Sequence, residues 1–170
     1  MSNAYLYSAP AGVEGDVTRP DETNVEPAML VAAASVFAQK FGIPVKYVSG
    51  GIQQFNGGAE VPADFAGVLV REVPGIGGSI ASDSQVNAVP YSEQVQGLAV
   101  RGYVSVKCAR GTPARGGAVF IQIVAAGGVA VGDFCATDDG ANAIELTATQ
   151  AEWASDGKDA DNNAELRIAR

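Results

Sequence analysis

Between Val100 and Cys108 the chain alternates with a period of two. Val100, Gly102, Val104, Val106 and Cys108 fall on one side, and Arg101, Tyr103, Ser105 and Lys107 on the other. Successive side chains of an extended strand point to opposite faces, so this is a strand with one face in a core and one toward water. The loop Ala109–Gly117, with three glycines and a proline, then reverses the chain. Ala118–Val124 follows, with Val119, Ile121 and Ile123 on one face. The two runs read as a hairpin with a long, exposed connection.

Other segments carry the same signature. Pro44–Val48 alternates and stops at Ser49-Gly50-Gly51, and Ala66–Val73 is a β-rich run stopped by Pro74-Gly75. Ala130–Ala136, Ala143–Ala148 and Ala164–Ala169 add further strands, separated by Gly127-Gly128, Asp138-Asp139-Gly140, Asp156-Gly157 and Asn162-Asn163. Residues 27–41 leave a helix ending at Gly42 and extended segments both open. Residues 1–28 hold neither period and are rich in turn formers, which marks an arm that is either disordered or ordered only against a partner. The expected fold is mainly β. It is an antiparallel β-sandwich, jelly-roll-like, or a small barrel, with an extended N-terminal arm (1–28), a single β domain (29–170) and room for one short helix.

Charge and missing residue types narrow the function. The net charge is −8, and the 11 basic residues are scattered, which disfavours direct nucleic-acid binding and fits a locally basic partner. The absence of histidine removes Ser-His-Asp and Cys-His catalysis and imidazole metal sites. Cys108 and Cys135 form no CxxC pair and sit in apolar runs, so they read as buried free thiols, although sequence leaves a disulfide open. Gly75-Ile76-Gly77-Gly78-Ser79 lacks the spacing and the lysine of a phosphate loop. The acidic run Asp156–Glu165 has spaced oxygen ligands but lacks the sixth-position glycine and the distant bidentate glutamate of a calcium loop, so it reads as a solvated turn, with a weak cation site as the alternative. The sole tryptophan, Trp153, reads as a core or interface anchor. No leader-like N-terminus and no run of 18 apolar residues is present, so neither export nor a membrane partner is expected. No catalytic, cofactor-binding or metal-binding residue is assigned, no cofactor is expected, and the chain reads as a non-enzyme.

The arm is the candidate partner-binding element, with Tyr5, Leu6, Tyr7 and Val13 as apolar anchors and Asp16 and Arg19 as polar contacts. Trp153 is added as an interface candidate. From Gly15 to Val73 the chain resembles the structural cement (capsid decoration) proteins of tailed bacteriophages. The resemblance rests on Gly15-Asp16-Val17-Thr18-Arg19, Val25-Glu26-Pro27-Ala28, Phe41-Gly42-Ile43-Pro44-Val45-Lys46, Val48-Ser49-Gly50-Gly51-Ile52 and Phe65-Ala66-Gly67-Val68-Leu69-Val70-Arg71. Gly102-Tyr103-Val104-Ser105-Val106 and Gly116-Gly117 continue it. It implies a β-sandwich or jelly-roll-like subunit made in the bacterial host cytoplasm. That subunit would sit on the outside of the icosahedral head between major capsid protein subunits, as a dimer or trimer, and stabilise the shell. It implies no catalytic residue. Two other readings are a tail or fibre component and a carbohydrate-binding module.

Overall fold

The computed structural model describes residues 12–31, 40–71, 90 and 93–169. The alternating segment forms the longest described strand, β5 (Val95–Arg110), which pairs with four other strands. Around it lie β1 (Asn24–Met29), β2 (Pro44–Val48), β3 (Gly51–Gln54), β4 (Gly67–Val70), β6 (Val119–Gln122), β7 (Phe134–Cys135), β8 (Ala143–Leu146), β9 (Ala151–Trp153) and β10 (Asn163–Ile168). The described helical segments are single 3-10 turns at Pro20–Glu22, Pro62–Asp64 and Gly140–Asn142.

The mainly β expectation is met. The strands form one ten-stranded mixed sheet with a main path β3-β2-β4-β5-β7-β6-β8. It does not close into a barrel, which removes that alternative. The expected hairpin between the Val100 run and the Ala118 run does not form. β7 lies between them, pairing parallel with β5 (Cys108 opposite Phe134) and antiparallel with β6. The glycines of the connection explain the detour. Gly116 donates to the Trp153 carbonyl and Trp153 to that of Gly117, so the loop serves β9 rather than a tight reversal.

The helix considered over 27–41 is a strand at its start. Asn24–Met29 pairs antiparallel with Val95–Arg101, and Leu30 bridges Ile52; residues 32–39 lie outside the described residues. Pro27 suits either structure. A missing N–H is harmless in a first helical turn and equally harmless at a position facing away from the neighbouring strand. Here the edge of β5 supplies the partner. The Gly75–Ser79 loop also lies outside the described residues.

Two apolar clusters flank β5. One contains Leu30, Ile43, Val45, Ile52, Leu69 and Leu98, with Val100 packed against it. The larger contains Phe55, Phe65, Val68, Ala99, Val104, Val106, Phe134, Trp153 and Leu166. Ala99 and Val104 share a cluster although one position is odd and the other even. The pairing shows why. Asn24 lies opposite Arg101 but Val25 opposite Ala99, so β5 carries a one-residue bulge at Val100. A bulge reverses the inside–outside alternation beyond it. Gly102 sits just past it with φ +115, a conformation that glycine tolerates and other residues do not.

Candidate interface: the N-terminal arm on β5

Residues 12–29 run antiparallel along β5. Gly15 N–H donates to the Ser105 carbonyl (2.8 Å), Ser105 N–H to Asp16 (2.8 Å) and Thr18 N–H to Tyr103 (3.1 Å). Val17 bridges Val104. The chain then makes the Pro20–Glu22 turn and rejoins β5 as β1. At the turn, the Tyr103 amide donates to Thr23 Oγ1 (3.0 Å). Any Cβ at Gly102 would collide with Thr23 and the Glu22 carbonyl, so the close approach depends on the glycine.

Side chains lock this course. Arg19 makes a two-point contact with Glu165 of β10, Nη2 to Oε2 at 2.8 Å and Nε to Oε1 at 3.1 Å. Thr18 Oγ1 donates to the same carboxylate at 2.6 Å, and the Arg19 guanidinium lies 3.9 Å over the Tyr103 ring. The hydrogen bond to Glu165 raises the Arg19 pKa further above its already high value. Arg71 Nε donates to the Glu14 carbonyl at 2.8 Å, and Lys107 reaches the Glu14 carboxylate at 3.8 Å. Asp16 Oδ2 accepts from the Val13 amide at 3.0 Å. The Val13 amide, the Asp16 carboxylate and the Arg19 guanidinium therefore each have a partner within the chain. Tyr5, Leu6 and Tyr7 lie outside the described residues.

Trp153 stands apart from these residues. It is 1% exposed within the larger cluster, so it offers no surface to a partner or a sugar ring. A shallow trough of about 390 Å³ lies nearby, lined by Gly116, Gly117, Glu145, Thr147 and Glu152 among others, without an aromatic platform. The acidic run folds as a turn. Asp159 Oδ1 accepts the amides of Asp161 (2.9 Å) and Asn163 (2.8 Å), and Asp156 Oδ1 accepts that of Arg115 (2.9 Å). Among the described residues no cluster of three metal-ligating side chains occurs. Cys108 and Cys135 are both free and buried. Burial raises both thiol pKa values, that of Cys135 to about 11.

The surface that sequence reasoning missed is on β1. Val25 and Met29 are each 41% exposed, and Val95, directly opposite Met29, is 53% exposed. Only a correct strand assignment for 24–29 reveals them as one row.

Comparison with known proteins gives a consistent answer. The model of the structural cement protein family (E217 gp24/Pam3 gp6) matches residues 1–169. A chain from the capsid of Myoviridae phage XM1 shares the fold with a TM-score of 0.67 and 18% identity, covering 100% of this chain and 98% of that one. No curated protein matches. The chain belongs to the phage structural cement protein family and is a capsid-associated structural protein.

Proposed function

We propose that the protein binds the outside of the phage head between adjacent major capsid protein subunits, as a homo-oligomer, and stabilises the shell. The observation that carries this is the family match from residue 1 to residue 169. The arm, residues 1–28, is the element that reaches a neighbour. Its portion from Gly12 onward is held against β5, so Val13, Asp16 and Arg19 act by fixing where the chain leaves the fold. Tyr5, Leu6 and Tyr7 precede that attachment and supply the apolar contacts. A repeated lattice multiplies weak contacts, so each copy needs only modest affinity.

The test is deletion of residues 1–11, added to undecorated heads and followed by cosedimentation and imaging. A deletion of 1–25 would be uninformative, because it strips strand partners from β5. Residues 12–170 should fold, with Trp153 emission unchanged, and should fail to decorate. Undiminished decoration, or density for the full-length protein on tails or inside the head, would overturn the proposal.

A further inference from the structure

β1 presents a row of apolar side chains to solvent. Residues at even spacing on a strand share a face, so Val25, Pro27 and Met29 line up, and Val95 joins them across the strand pair. The row extends the face that Ala99 contributes to the larger core, beyond the point where that core ends. All four residues are exposed.

The outer edge of β1 is poorly suited to adding another strand. Leu30 N–H points to β5, donating to the Gln94 carbonyl at 2.9 Å. The two-residue repeat therefore turns the amide positions of Val25, Pro27 and Met29 outward. Pro27, at the centre, has no N–H, which removes the middle donor of any added strand. β3 covers this edge only at its end, from the Met29 backbone to Val31. The row can therefore be recognised by side-chain packing, and a partner's apolar side chains suit it.

We infer that this row seats Tyr5, Leu6 and Tyr7 of a second copy of the chain, so that the copies of a capsid-bound oligomer are joined through their arms. The inference rests on the proposed capsid role and names the partner the arm reaches. Charge favours a self-contact of this kind. Two copies each carrying −8 repel, and residues 1–11 contain no charged side chain, nor does the row. An uncharged segment on an uncharged row brings acidic copies together without adding to that repulsion.

Reach keeps the same chain off the Met29 and Val95 end of the row. Gly12 is fixed at the far end of β5, its carbonyl accepting from Asn163 Nδ2 (3.0 Å) while Gly15 is bonded to Ser105. From Ser105 to Val95 is ten positions of strand, roughly 33 Å along β5. Tyr7 lies five residues before Gly12, a span of at most about 18 Å, and Tyr5 reaches about 25 Å. The triplet falls short of its own Met29 and Val95.

The experiment mixes full-length copies carrying Tyr7→Cys with copies carrying Val95→Cys, joined by a short bis-maleimide in solution and on decorated heads. Cys108 and Cys135 are fully buried and stay silent. A dimer-sized product should form, and Met29→Asp in the Val95→Cys copy should reduce it about tenfold or more, the value of one apolar contact of this size. Met29→Leu should restore it, and Trp153 emission should show that both variants fold. Absence of the product, or a product insensitive to Met29→Asp, would overturn the inference. Linkage of Tyr7→Cys only to the major capsid protein would overturn it too while leaving the capsid role intact. Heads that fail to take up the wild-type protein would instead sink the capsid role itself.

Discussion

Gly102 tests whether the arm is part of the fold or merely laid upon it. Alanine there meets two obstacles. Its φ of +115 suits glycine alone, a cost of about 1–3 kcal/mol. The new Cβ also strikes Thr23 and the Glu22 carbonyl, and forced overpacking of this kind adds about 1–3 kcal/mol. Gly116→Ala separates the two effects. Gly116 has φ +72, and an added methyl there meets nothing within 4 Å, so only the backbone cost of about 1 kcal/mol applies. Urea unfolding followed by the buried Trp153 is the assay. With a slope near 2 kcal/mol per molar, Gly116→Ala should lower the midpoint by about 0.5 M and Gly102→Ala by about 1–3 M, at unchanged slope. Equal shifts for the two variants would refute the claim that the arm packs against β5 at this point.

Two further outcomes follow from buried groups. Burial alone would raise the pKa of Glu60, but hydrogen bonds from Lys46 (2.8 Å) and the Asn56 amide (3.0 Å) outweigh it and hold the carboxyl below its ordinary 4.5. The folded pKa is thus the lower one, so the carboxylate stabilises the fold above about pH 4.5 and that contribution is lost as pH falls through the folded value. Glu60→Gln should cost about 2 kcal/mol at neutral pH and flatten the acid limb of the stability profile; an acid limb as steep as wild type would contradict this. The second outcome concerns Cys108 and Cys135, both buried and with raised pKa values. They should ignore a thiol reagent at mildly alkaline pH and react fully once guanidinium unfolds the chain, as read by released chromophore. Rapid labelling of the native protein would show that their strands open readily.

The strands that sequence reveals best are those whose neighbours are already implied by alternation. Pro44–Val48 is β2 residue for residue, and Val100–Cys108 lies inside β5. β1, β3 and β9 are hidden for local reasons. Asn24–Met29 is exposed at almost every position, so no burial pattern marks it. Gly51 reads as a turn, and Ala151–Trp153 is too short to show a period. The bulge at Val100 is illegible because both halves of β5 alternate correctly on their own. Of the arm, the turn-rich character is plain, yet its partner is not. Gly15, Asp16 and Thr18 meet β5 through backbone bonds, which side-chain identity does not encode. Arg19 reads as a polar contact, but its partner Glu165 is distant in sequence and only the fold brings them together.

The antiparallel course of the arm along β5 also has a mechanical consequence. For a pull on Gly12 directed along the axis of β5, the hydrogen bonds from Gly15 to Met29 lie across the line of force. They are loaded in shear and must give way together, whereas a hairpin pulled from its open end peels one bond at a time. Such a load would be shared along the longest described strand and pass to β4 and β10 on its other side. A subunit wired this way works as a tie-bar.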